Sequence, residues 1–404
     1  MNGNGAGTST GLPDGPLPFP FPRTDVLRPL PLYSVLRRQR PVAPVVTATG
    51  VPALLVTRYA DVRTVLEDAR FSRVALSRTD PRELVAYTPP PTAAPADSEH
   101  STPYELVNRW FTPRAVERLR RRTRQVAEEL VDRVAAGTPP VDLVAELTAA
   151  LPATVFGELA GIPEPDRDRL RELAPLVTAD APDEASRAAS AAAHDYFRTA
   201  LDARRGTGAT DLLGQMVQAH ERDPTALDPD RLVTLAMRAC LPAFHSISVV
   251  LGKGLPILLR QPEVYAALAC QPDLVAPVVE EILRLTTPSS TALPRLACST
   301  VELSGIPVPA GSVVLASLES ANTDEERYPD PERVIPGRGA PDHTTFGRGA
   351  NFCLGAGLSR MECQVVLEVL ARRLPGLRLA VPEEQLPVRT GVIAPDVVAL
   401  PVAW

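Results

Sequence analysis

The sequence predicts a mainly α-helical chain with small β-sheets, an α+β architecture. Three observations predict it. Helical patterning dominates residues 113–285 and includes one apolar segment of about thirty residues. A strand–strand–helix pattern opens the chain at residues 42–47, 53–57 and 59–67. Beyond Leu285 the texture changes to short apolar alternations around Gly-containing turns across residues 301–315, as in hairpins. No internal repeat is evident, and no linker divides the chain.

Residues 1–23 read as a flexible tail ending in Pro-Leu-Pro-Phe-Pro-Phe-Pro, so the folded domain is expected over 24–404. A short helix at 32–38 precedes the two strands, and the polar Tyr-Ala-Asp turn opens the helix at 59–67. Residues 77–98 form a long Pro/Ala/Thr-rich loop, of a length that is often functional inside compact domains. Asp228-Pro229 is a helix start, with Asp as N-cap and Pro at the first helical position. The apolar pattern then runs to about Leu259. Thirty residues at ~1.5 Å each span roughly 45 Å. A helix of that length, apolar on most sides, is central and buried. Inside it, Pro242 has no N–H to donate to the carbonyl of Arg238, so a kink or opening is expected there.

The chain has 404 residues, 45% of them hydrophobic, enough for a large core. A net charge of −6 gives no case for nucleic acid binding. The apolar runs fall short of the ~18 residues that cross a bilayer. Residues 1–14 have neither the basic nor the apolar region of a leader, so a soluble, cytoplasmic protein is expected, with no membrane partner. Cys240, Cys270, Cys298, Cys353 and Cys363 contain no Cys-x-x-Cys pair, which argues against a zinc site or a disulfide framework. Lys253 is the single lysine against 41 arginines, a bias that reads as high-GC coding.

The stretch Phe346-Gly-Arg-Gly-Ala-Asn-Phe-Cys-Leu-Gly355, followed by Leu358-Ser-Arg-Met-Glu362, carries the chemistry. It sets Cys353 in a glycine-relieved loop that runs into an amphipathic helix. Gly347 and Gly349 allow a tight turn and close backbone approach. Gly355 lets the following helix pass near a flat macrocycle, and Phe346 walls the sulfur from water. N–H groups at the helix start can share the charge of a thiolate. A thiolate bound to haem iron pushes electron density toward O–O cleavage.

This segment resembles the haem-ligand signature of the cytochrome P-450 superfamily, with Asn351 standing where bacterial members usually carry His or Arg. The resemblance implies a single, triangular-prism-like domain with the long helix lying over haem b. Cys353 would be the axial iron ligand. Glu281 and Arg284 resemble the family's Glu-x-x-Arg pair, and Arg333 its second arginine, a trio with a structural role. His343, Arg295 and His100 stand where the family contacts the haem propionates. Tyr104 occupies a position that usually holds an arginine. On the long helix, the family's acid–alcohol pair, which relays protons to bound dioxygen, becomes His245-Ser246. His245 can pass protons near neutrality. It can equally line the substrate pocket or be satisfied by a backbone carbonyl. Ala243, Phe244, Ser289, Leu293, Val392 and Ile393 would shape that pocket by position, beneath the loop at 77–98.

The function implied is a haem-thiolate monooxygenase using O2. NAD(P)H would supply electrons indirectly, through a separate ferredoxin reductase and ferredoxin. The basic run Arg109, Arg114, Arg118, Arg120, Arg121, Arg122 and Arg124 would dock the ferredoxin. The altered relay points to a secondary-metabolite substrate, free or tethered to a carrier protein, and to hydroxylation or oxidative coupling. A peroxide-using peroxygenase and a non-catalytic helper of a glycosyltransferase are the alternatives, the second disfavoured by the presence of Cys353.

Overall fold

A computed structural model of the chain describes residues 12–78, 107–177, 183–224, 228–288, 292–338, 342–392 and 394–404. His100, Tyr104, Ser289, Ile393 and most of the 77–98 loop lie outside the described residues. The chain opens with β1 (Leu17–Phe19), α1 (Pro31–Gln39), β2 (Val42–Thr47), β3 (Pro52–Val56), α2 (Tyr59–Glu67), β4 (Phe71–Ser72) and α3 (Arg73–Arg78). The helical body holds α4 (Pro113–Ala136), β5 (Val141–Asp142), α5 (Ala150–Ala160), α6 (Glu164–Val177), α7 (Glu184–Asp202) and α8 (Leu212–Arg222). It continues with α9 (Pro229–Leu259), α10 (Pro262–Cys270) and α11 (Val275–Leu285). The last third carries β6 (Leu293–Ala297), β7 (Val301–Leu303), β8 (Ile306–Val308), β9 (Val313–Ala316) and α12 (Leu318–Asn322). It closes with α13 (Ala356–Arg373), β10 (Arg378–Leu379), β11 (Val388–Arg389), β12 (Asp396–Val397) and β13 (Pro401–Ala403).

The main sheet runs β1-β2-β3-β9-β6-β4. Its β2–β3 hairpin is antiparallel with Val42 opposite Val56, while β3 and β9 are parallel with Leu54 opposite Val314. The sheet corrects one boundary. Residues 17–19 are no tail, because β1 adds in parallel to β2 with Leu17 opposite Val45. Leu17, Phe19 and Phe21 are buried, and Phe21 packs edge-on against Tyr33 at 5.8 Å between centroids. Alternate apolar residues in a Pro-rich run still present one buriable face, and Pro is tolerated in such an edge strand.

Asp228 caps α9 as expected, its side chain accepting from Arg231 N at 2.9 Å. By length and composition alone α9 could cross a membrane. Here it is the core helix, with α5, α6, α7 and α11 packed around it. The expected opening at Pro242 does not divide it, since the helix is continuous from Pro229 to Leu259. One missing N–H removes one rung, and Pro242 lies on the accessible side, where its ring meets no packed neighbour. Leu235, Ala239, Pro242 and Ser246 share that face, whereas Phe244, His245 and Ile247 are buried. On the other side of the molecule α13 lies along α4, tied by Arg124–Glu368 and by Arg372–Glu128 at 2.8 Å.

Candidate haem-thiolate site

The loop before α13 has the backbone its glycines permit. Gly347 and Gly349 take φ of 68° and 64°, a left-handed conformation that side chains resist. A Cβ on Gly349 would meet the carbonyl oxygen of Leu66 at 3.1 Å. The Cys353 N–H donates to the Phe346 carbonyl at 2.9 Å and closes the loop. The Cys353 sulfur accepts from the N–H groups of Gly355 and Ala356 at the start of α13. Burial pushes the thiol's pKa up, opposed by those two N–H groups and by Arg360. A bound metal cation reverses this balance and leaves the sulfur a thiolate.

Cys353 is nonetheless accessible, because it lines a cavity of about 530 Å³ between this loop and α4, with Val116, Arg120, Phe352 and Arg360. Phe346 screens the sulfur side, with its ring 6.2 Å from Phe352 and the Arg360 guanidinium 4.7 Å above it.

The residues present fit a haem with its propionates. Arg295 is buried on β6, and its one hydrogen bond is to the Pro294 carbonyl at 2.8 Å. No carboxylate pairs with it among the described residues. Burial, then the nearby Arg73, pull its pKa down to about 10. A buried guanidinium without an anion is costly, and a propionate is the anion this position lacks. Leu293, on the same strand, lies close to Gly347 and so beside the cysteine loop.

Other expected placements need correction. His343 is not available to a propionate. Its Nδ1 accepts from Thr345 N at 3.3 Å, so the proton sits on Nε2, which donates to Glu280 at 3.2 Å. Burial raises the Glu280 pKa, but His343 and a bidentate Arg360 outweigh it and hold it near 2. Arg333 is not the second arginine of the buried trio. Its side chain is exposed, and only its carbonyl takes part, accepting from Arg284 at 3.1 Å. The second arginine is Arg338, which donates to Glu281 Oε2 at 2.9 Å beside the Arg284 pair at 2.8 and 2.9 Å. Phe244 is fully buried edge-on against Phe156 at 5.8 Å, a core contact and not a pocket wall. Ala243 is half-buried against the same core, and Val392 is buried.

His245 and Ser246 diverge. Ser246 is on the accessible face of α9. His245 turns toward the β11–β12 turn, donating to the Ala394 carbonyl, with Nε2 3.8 Å from Asp396. Burial, then Arg389, drive the His245 pKa down to about 4, so the ring is neutral at physiological pH. Of the basic run, Arg120, Arg122 and Arg124 are spent on Glu117, Glu158 and Glu368. Arg109, Arg114, Arg118 and Arg121 remain exposed, with no acidic partner among the described residues.

Asp396, Arg338, Glu280 and Arg360 were missed by sequence reasoning. The last two carried a faint signal, since Glu280 adjoins Glu281 and Arg360 lies inside the motif; Asp396 and Arg338 carried none.

The comparisons with known proteins agree with this site. The pattern of the cytochrome P-450 family matches residues 272–385. The mycinamicin IV hydroxylase/epoxidase of Micromonospora griseorubida is 37% identical over 401 residues, covering 96% of this chain and 99% of the relative. The chain belongs to the cytochrome P-450 family. The nocardicin C N-oxygenase of Nocardia uniformis subsp. tsuyamanensis is also 37% identical, over 397 residues, covering 96% of this P-450 and 98% of that one. A crystal structure of a cytochrome P-450 with biaryl coupling reactivity superposes with a TM-score of 0.84 at 34% identity, covering 94% of this chain and 97% of that one. This P-450 is thus a monooxygenase, an oxidoreductase that works with haem iron and O2. Cys353 and Arg295 are the residues that would hold the haem.

Proposed function

We propose that this P-450 oxidises a secondary metabolite, by hydroxylation or by an oxidative coupling-type reaction, in the cytoplasm of its host. The observation that carries the reading is the Cys353 sulfur, cradled by two N–H groups and open to a cavity. The relatives support the substrate class, since two of them are named for mycinamicin IV and nocardicin C. When bound, the haem supplies dioxygen activation. Residues of this chain do the rest. Cys353 holds the iron, Arg295 neutralises a propionate, and Phe346 excludes water from the sulfur. Ser246 presents a hydroxyl on the accessible face of α9, where it can hold a proton or a water. Electrons would come from NAD(P)H through a reductase and a ferredoxin. The exposed Arg109, Arg114, Arg118 and Arg121 border the Cys353 cavity and give an acidic ferredoxin a basic face, so docking weakens with salt.

The test is turnover with NADPH, a ferredoxin–reductase pair and isotopically labelled dioxygen against a macrolide and β-lactam panel. The account expects oxidised product that carries the label wherever oxygen is inserted, with NADPH consumed in step, and at least tenfold more uncoupled NADPH oxidation in Ser246→Ala. Turnover with peroxide but none with dioxygen and the redox partners would select a peroxygenase instead.

A further inference from the structure

Both contacts of His245 go to one place, the turn between β11 and β12. Its ring donates to the Ala394 carbonyl, and its Nε2 makes no hydrogen bond, which assigns the donor to Nδ1. Nε2 then presents a lone pair, and what it faces at 3.8 Å is Asp396 Oδ2. Asp396 is itself short of partners. Its Oδ1 makes no hydrogen bond and stands 3.7 Å from Arg389 Nε, across the strand pair in which Asp396 opposes Arg389. Both side chains are 11% exposed. Two buried lone pairs facing each other repel, and one proton between them turns repulsion into a hydrogen bond.

We propose that His245 and Asp396 share a single proton, and that this pair is a positioning device that latches the β11–β12 turn, with Val392, onto helix α9 next to Ser246. The inference rests on reading the accessible face of α9 as the substrate side. Asp396 acts through His245 and touches no substrate.

The charges acting on the pair favour the neutral acid–imidazole form. Burial holds the Asp396 carboxyl above its ordinary range, against the lowering pull of Arg389 and Lys253. Burial and Arg389 hold the ring of His245 neutral. Lys253 lies two turns along α9 from Ser246. Burial lowers its pKa to about 8, with Glu319, Arg23, Asp396 and Asp25 acting on it in turn. A carboxyl with a raised folded pKa stabilises the fold below its unfolded pKa and loses that contribution as pH rises through the folded value. The latch therefore opens on the alkaline side, when Asp396 ionises opposite a lone pair.

The test is nitrogen NMR of the histidine-labelled, carbon monoxide-bound ferrous protein as a function of pH, together with hydrogen exchange of amides 390–396. Neither readout needs a substrate or a redox partner, so a failure here is separable from a failure of the proposed reaction. The expected result is a neutral His245 protonated at Nδ1, with Nε2 accepting a hydrogen bond. On raising the pH that bond is lost, and amides 390–396 exchange about tenfold faster in the same step. Asp396→Asn, whose amide donates permanently, should abolish the step and keep the protection. Asp396→Leu should lose the protection at every pH. An Nε2 with no hydrogen bond, a step that survives in Asp396→Asn, or unchanged protection in Asp396→Leu would each overturn the pair.

Discussion

Glu281→Ala is expected to lower the unfolding free energy by about 3–5 kcal/mol. The carboxylate is almost fully buried and accepts from both ends of Arg284, from Arg338 and from the Ile335 N–H at 3.0 Å. Arg284 also donates to the carbonyls of Asn322 at 2.9 Å and Pro331 at 2.7 Å, so it cannot swing out to water. Removing Glu281 leaves one guanidinium buried with carbonyls alone for partners, and frees the segment carrying Ile335 and Arg338. Urea unfolding of the haem-loaded protein measures the loss. Arg333→Ala is the control, expected within about 0.5 kcal/mol because its side chain is exposed. A Glu281→Ala loss below about 1 kcal/mol would place the stability of this corner elsewhere.

The second large effect is in the pH profile. Glu362 on α13 is fully buried, and neither carboxylate oxygen has a hydrogen-bond partner among the described residues. Burial raises its pKa to about 8. The native state therefore holds a proton that the unfolded chain releases near pH ~4.5, at the ordinary glutamate value. Its stabilising contribution is complete below that value and is lost as pH rises toward 8. Each pH unit in that window is worth about 1.4 kcal/mol, so the loss between pH ~5.5 and ~7.5 is of order 2–3 kcal/mol. Glu362→Gln has no proton to lose, and the gap between its unfolding curve and that of the parent should close by that amount across the window. A constant gap between the two curves would mean that the carboxyl is ionised in the fold and has a partner.

The local signals in the sequence were strong where one segment determines its own structure. The strand at Val42–Thr47, the helix at Tyr59–Glu67 and the start of α9 at Asp228-Pro229 all form where turn and cap residues place them. The cysteine loop was legible for the same reason, since its glycines and the helix N-terminus act within ten residues. What stayed hidden depends on partners distant in the chain. Nothing near Arg333 or Arg338 shows which of them turns inward; Arg284 and the carbonyls around it decide that. His343 has the right spacing to Phe346, yet Glu280, brought beside it by α11, takes its proton. Phe244 and His245 fell on buried faces because α5 and the β11–β12 turn occupy two sides of α9. The parallel pairing of β1 with β2 is likewise invisible to a pattern that sees only prolines.

The central claim is that the sulfur of Cys353 grips the iron of a haem. The most direct measurement is the difference spectrum of the reduced protein on adding carbon monoxide. The account predicts the strongly red-shifted band of a thiolate-ligated iron, absent in Cys353→Ser. A parent protein that binds no haem, or a band that survives intact in Cys353→Ser, would contradict it.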